Sequence, residues 1–108
     1  MERFVEPALL VVLAEGPTHG YDLAEAIETI APAERVDLGN LYRLLRSLEE
    51  EGIVTSEWRD DLGGRAKRTY ALTTDGAALL EAWTRSLAEL ETTLAALRER
   101  RAPTGDAT

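Results

Sequence analysis

The stretch DLGNLYRLLRSLEEEGIVTSEWRDDLGGRAKRTYALTT, residues 37–74, changes its apolar period halfway along. In its first half Leu41, Leu44, Leu45 and Leu48 share one stripe of a helix. Asp37 is a good N-cap, and Gly52 stands where a helix ends on a C′ glycine. Arg43, Arg46 and Ser47 fall on the other faces. From Ile53 to Trp58 the residues become β-branched and aromatic, Arg59 to Gly64 has turn composition, and Arg65 to Leu72 alternates again. The expectation is a helix followed by a glycine-tipped β-hairpin whose second strand carries Arg65, Lys67 and Arg68. A lone hairpin is marginal in water, so Ile53, Val54, Trp58, Tyr70 and Leu72 are candidates to hold it against helices.

On the amino-terminal side, Thr18 can cap a second helix that reaches about Ile30, and Asp22 in its first turn suits the helix dipole. Tyr21, Leu23, Ala24, Ile27 and Ile30 supply its apolar positions, and Ala31-Pro32-Ala33 breaks it. Before it, Glu2 to Glu15 is apolar nearly all round (Phe4, Val5, Leu9, Leu10, Val12, Leu13), the mark of a helix buried on most sides. Gly16-Pro17 stops that one. On the carboxyl-terminal side, Thr73 or Thr74 caps a last helix. Its Leu80, Trp83, Leu87, Leu90, Leu94 and Leu97 step by 3, 4, 3, 4 and 3, a heptad stripe. From Asp75 to Arg101 it spans about 40 Å at ~1.5 Å per residue.

Helix, helix, helix, hairpin, long helix is the order of a winged helix-turn-helix, a mainly α (α+β) fold with a two-stranded β-wing and a long C-terminal dimerisation helix. The expected units are residues 1–74 for DNA binding, 75–101 for dimerisation, and 102–108 as a disordered tail. The small domain cannot cover the long helix. Its stripe needs either a second copy of the chain or helix one of the same chain. Phe4, Leu9, Leu80, Trp83, Leu87, Leu90, Leu94 and Leu97 are the candidate dimer contacts.

The 108 residues include no Cys and one His, which excludes disulfides, thiolate chemistry and multi-histidine metal sites. With no cluster of nucleophile, base and oriented acid, no enzyme is expected, and no cofactor or metal. The apolar run Ala8 to Ala14 is far short of the ~20 residues of a membrane span, and the N-terminus does not read as a signal peptide. The net charge of −8 runs against the basic character usual in nucleic-acid binders. Its distribution answers the objection. Residues 1–34 hold one Arg against seven acids, whereas residues 35–68 balance seven against seven. From Gly63 to Tyr70 there are three basic residues and no acid. Phosphates meet a face, and screening limits distant charges to about 8–10 Å.

Leu9-Leu10 through Leu13, Gly16-Pro17-Thr18-His19-Gly20-Tyr21-Asp22-Leu23, Gly39-Asn40-Leu41-Tyr42 with Leu45, Leu48 to Val54, Gly63-Gly64-Arg65, and Tyr70-Ala71-Leu72-Thr73 with Gly76 resemble the PadR-type transcriptional regulators in order and spacing. The similarity spans roughly residues 5 to 80, and the single C-terminal helix resembles the compact subfamily. The resemblance implies a cytoplasmic homodimer, usually a repressor, dimerised by its C-terminal helices together with helix one. Asn40 stands where Thr or Ser is common, and Asp37-Leu38-Gly39 is more acidic than the usual approach to the recognition helix, so the operator sequence does not carry over.

A recognition helix enters the major groove by its amino end, here Gly39, Asn40, Tyr42 and Arg43. Gly39 lets backbone come close. Asn40 can pair with adenine or make a local cap, and Arg43 can pair with guanine or meet a phosphate. Tyr42 can place its hydroxyl on a phosphate. Arg46 suits a phosphate or an ion pair with Glu50. Arg65, Lys67 and Arg68 suit a groove or a phosphate, the alternative being a solvated hairpin. Thr18 and Tyr21 open the second helix, whose amino end can face a phosphate, or Tyr21 is core. His19 is a pH sensor or, more simply, structural or merely solvated.

In multidrug-sensing relatives the dimer interface holds an aromatic pocket. That resemblance makes Phe4, Ala8, Leu80, Trp83 and Leu87 candidates for a small aromatic effector, against a plain core role for Trp83. The partners expected are therefore double-stranded operator DNA in inverted repeat, a second copy, and a small hydrophobic effector. The competing reading is a winged-helix protein–protein interaction module without DNA binding.

Overall fold

The computed structural model describes residues 3–59 and 67–101. The expected glycine tip with Arg65, and the expected tail at 102–108, lie outside the described residues. In chain order the elements are α1 (Val5–Glu15), β1 (Thr18–His19), α2 (Gly20–Ile30), α3 (Leu38–Glu50), β2 (Val54–Arg59), β3 (Lys67–Leu72) and α4 (Thr74–Arg101).

One core joins them. Helix α1 buries Val5, Pro7, Ala8, Leu9, Leu10, Val12 and Leu13, as expected of a segment apolar all round. Against it pack Leu23 and Ile27 of α2, Leu41, Leu45 and Leu48 of α3, and Val54 and Tyr70 of the hairpin. Each fully buried Leu or Ile contributes about 1.5–3 kcal/mol relative to exposure. Ile53 and Leu72 pack at the margin of this core.

Both ends of α3 form as the residues at 37 and 52 dictate. The Asp37 carboxylate accepts the Gly39 N–H at 3.0 Å. At the other end the Gly52 N–H reaches the Glu49 carbonyl at 3.1 Å and the Ile53 N–H reaches the Leu48 carbonyl at 2.8 Å. This is a Schellman closure, and it needs the positive φ of +80° at Gly52. The reversed chain then enters β2.

Strands β2 and β3 pair antiparallel, with Ser56 opposite Tyr70 and Trp58 opposite Arg68. The two-residue β1 adds to the other edge of β3, with Thr18 opposite Tyr70 and His19 opposite Thr69. The sheet order is thus β1-β3-β2. This third strand was not expected from the sequence, because two residues carry no readable period. It makes β3 the central strand, and both Thr69 and Tyr70 are buried.

Three expectations are corrected. Thr18 does not cap α2. Its hydroxyl donates to the Gly16 carbonyl at 3.0 Å, and His19 holds the cap position without a side-chain bond. Tyr21 and Ile30 lie outside the apolar face of α2, 73% and 48% exposed. Trp58 does not anchor the hairpin and is 65% exposed, its ring lying against the Arg68 guanidinium and not in the core.

Thr73 ties the last helix to the rest. Its hydroxyl shares its proton between the Gly52 carbonyl at 2.6 Å and the Ile53 carbonyl at 2.9 Å, and accepts the Gly76 N–H at 2.9 Å. Helix α4 then runs for 28 residues, about 42 Å at ~1.5 Å per residue. Leu79, Leu80 and Trp83 pack on the core, and the Trp83 indole N–H donates to Glu6 Oε2 at 3.1 Å. Beyond Leu87 the stripe leaves the domain. Leu90, Leu94 and Leu97 are exposed by 39%, 49% and 58%.

Candidate nucleic-acid interface

The amino end of α2, the face of α3 and the hairpin enclose a half-open cleft of about 710 Å³. His19, Gly20, Tyr21 and Asp22 form one wall, Tyr42, Arg46 and Glu49 the second, and Trp58, Lys67, Arg68 and Tyr70 the third. Six residues of the expected DNA face therefore meet around it or beside it: Tyr21, Tyr42, Arg46, Lys67 and Arg68 line the cleft, and Thr18 pairs with its floor residue Tyr70.

Helical spacing puts Tyr42, Arg46 and Glu49 on the flank of α3 that faces the hairpin. Tyr42 is seated by Gly20: a Cβ there would lie 2.7 Å from the Tyr42 Cζ atom. Arg46 is exposed and forms no ion pair with Glu50, the alternative to a phosphate contact. Strand alternation puts Ser56 and Trp58 with Arg68 and Tyr70 on the cleft face of the sheet. Burial raises the Tyr70 hydroxyl pKa above its ordinary value, with Arg68 pulling the other way and Tyr42 adding to the rise.

Arg68 is held from several sides. Its guanidinium lies over the Trp58 ring, 5.6 Å from the centroid. Its Nε donates to the Ser56 hydroxyl at 3.0 Å, and its Nη2 lies 3.7 Å from Glu49 Oε1. Ser56 in turn donates to Glu49 Oε2 at 2.8 Å. Sequence reading did not include Glu49, Ser56 and Trp58 in the site. The period of two on β2 and β3 contained the signal for the latter two, since it puts Ser56 and Trp58 beside Arg68.

Gly39, Asn40 and Arg43 stand apart from the cleft on the amino half of α3. The Arg43 guanidinium donates to Asn40 Oδ1, so the two base-reading candidates are joined to each other. A Cβ at Gly39 would find its nearest neighbour, Asp37 Oδ1, at an ordinary 3.6 Å. The fold itself does not demand glycine there. His19 Nδ1 lies 3.3 Å from Asp22 Oδ2.

The expected interface and effector residues divide. Leu9 is fully enclosed in the core of its own chain and Ala8 is buried beside it, so neither offers a surface to a second copy or a ligand. Phe4, Leu80, Trp83 and Leu87 are half-buried, and Leu90, Leu94 and Leu97 are exposed. Among the described residues no helix is long and apolar enough to cross a membrane, and no cluster of three metal-ligating side chains occurs.

Three helices, a β-wing and a cation-bearing cleft between them define a winged helix-turn-helix protein of the kind that regulates transcription. The chain matches the transcriptional regulator PadR-like family over residues 9–82 and belongs to it. It is 39% identical over 77 residues to the transcriptional regulator Rv3488 of Mycobacterium tuberculosis, covering 71% of this chain and 69% of that one. It is 38% identical over 82 residues to an uncharacterised 37.1 kDa protein in transposon TN4556 of Streptomyces fradiae, covering 76% of this chain but only 22% of that protein.

Among solved structures, the potential transcriptional factor TM0937 superposes with a TM-score of 0.81 at 30% identity, over 95% of this chain and 91% of that one. Bacillus subtilis PadR, solved in complex with operator DNA, superposes with a TM-score of 0.67 at 26% identity, over 78% of this chain and 48% of that one. A family of regulators accords with the expectation of no enzymatic activity.

Proposed function

We propose that this chain is a DNA-binding regulator, acting in the cytoplasm as a homodimeric repressor on an inverted-repeat operator. The observation that carries the reading is the convergence of Tyr42 and Arg46 from α3 with Lys67 and Arg68 from the wing on one cleft. A duplex whose major groove receives the amino end of α3 brings its backbone past these groups. Tyr42 and Arg46 then meet phosphate, as do Lys67 and Arg68, while Asn40 and Arg43 exchange their mutual bond for base edges. Arg65 extends the wing contacts. Operator binding by B. subtilis PadR supports the assignment.

The exposed Leu90, Leu94 and Leu97 on a helix that outruns its domain support the dimer. A second α4 would cover them, with Phe4, Leu80, Trp83 and Leu87 at the near end. Two copies would place half-sites about 10 bp apart or a multiple of it. A flat aromatic effector seated between the two Trp83 side chains completes the reading. Its check is quenching of Trp83 fluorescence in a Trp58→Phe background.

The deciding experiment is binding to a duplex from the protein's own upstream region. Tight, steeply salt-dependent binding that is weakened in Tyr42→Ala and Arg68→Ala is the expected result. No binding at low salt would reject the proposal. A stable protein complex that survives both substitutions would favour an interaction module instead.

A further inference from the structure

The acid at Glu49 is out of place on two counts. It lies in the last turn of α3, where the helix dipole disfavours negative charge. It also lines the cleft that is proposed to meet phosphate. Its partners explain how it is tolerated. Glu49 Oε2 accepts from Ser56 at 2.8 Å, Oε1 lies 3.7 Å from Arg68, and Arg68 Nε closes the triangle on Ser56 at 3.0 Å. The recognition helix is thereby joined to both wing strands, and Arg68 of the wing is already engaged.

Resting on the DNA-binding reading, we propose that Glu49 is a selectivity-setting residue of the interface, acting through Arg68. It holds the guanidinium in place over Trp58, and its charge opposes any phosphate that approaches the cleft. A backbone attracted only by charge must compete with Glu49 for Arg68. A duplex docked by base contacts at the amino end of α3 is held by more than that competition. Glu49 therefore weakens non-specific binding more than operator binding. The role suits a chain of net charge −8 that must ignore most DNA.

The test compares the full-length protein with Glu49→Gln, in which an amide oxygen remains to accept from Ser56. Binding to an operator duplex and to a scrambled duplex is measured across a salt series. Non-operator affinity is expected to rise about tenfold and operator affinity about threefold or less. The non-operator salt slope should steepen by about one unit, as one more phosphate is neutralised.

Glu51→Gln removes the same charge from the same helix end, outside the triangle, and should leave the ratio unchanged. Equal changes on both duplexes, an unaltered slope, or the same result from Glu51→Gln would overturn the proposal. A variant that melts with the wild type yet loses affinity for both duplexes would also overturn it, leaving Glu49 as a merely structural tie. If the wild type bound neither duplex, the DNA-binding reading would fall and this inference with it. The other outcomes leave that reading standing.

Discussion

The ring of Tyr42 occupies the space that a side chain at Gly20 would fill. A Cβ on Gly20 would lie 2.7 Å from Cζ and 2.8 Å from Cε1 of that ring. The helix that opens the turn thus sets the rotamer of the tyrosine on the recognition helix.

Gly20→Ala is expected to separate binding from stability. Alanine raises helix propensity by up to about 1 kcal/mol, which offsets the contact, because a side-chain ring can swing away. Thermal melts should stay within a few degrees of wild type while operator affinity falls about tenfold. A matched loss of stability would mean that the ring cannot yield.

Arg46→Ala and Arg68→Ala should each lower the slope of log affinity against log salt by about one unit, because each cation stands for one phosphate. Arg43→Ala should relax preference at a single operator position with less effect on the slope. Fluorescence anisotropy over a salt series reads both quantities.

Tyr70 is neutral when protonated, and burial raises its folded-state pKa above the ordinary value near 10. Its contribution to stability is fully present below pH ~10 and is lost as pH rises through the folded value. Wild type should therefore lose stability relative to Tyr70→Phe above pH ~10 and run parallel to it below. Urea unfolding of both proteins from pH 8 to 11 gives the comparison.

Thr73→Val removes the cap of α4 and the tie to the Gly52 and Ile53 carbonyls. A loss of about 1–2 kcal/mol in urea unfolding is expected. Thr73→Ser keeps the hydroxyl and should recover most of it.

Leu94→Glu places a charge on an exposed position of α4 and should not disturb the described core. Wild type should run as a dimer in light scattering, and the variant as a folded monomer with weakened operator binding. A monomeric wild type at high micromolar concentration would reject the proposed dimer.

The stripe from Leu41 to Leu48, the stop at Gly52 and the alternation after Ile53 were legible, because each is a local period or a local cap. The same holds for the heptad steps from Leu80 to Leu97. Strand β1 was not, since Thr18 and His19 are extended only because β3 lies beside them. Trp58 was misplaced because hydrophobicity promises burial, whereas its ring lies on the cleft face of the wing against Arg68. Leu9 looked available to a partner for the converse reason: a helix apolar all round does not say which side its own chain will cover.

Local chemistry along the chain was enough for the order of the four helices and the two hairpin strands, for both ends of α3, and for the cations of α3 and the wing. Those features depend on neighbours within about one turn or one strand pair. The fold alone set which of those cations lie together. Tyr42 meets Gly20 across 22 positions, and Arg68 meets Glu49 across 19. Such pairings follow from how the sheet packs on the helices, and no period along a single element encodes that distance.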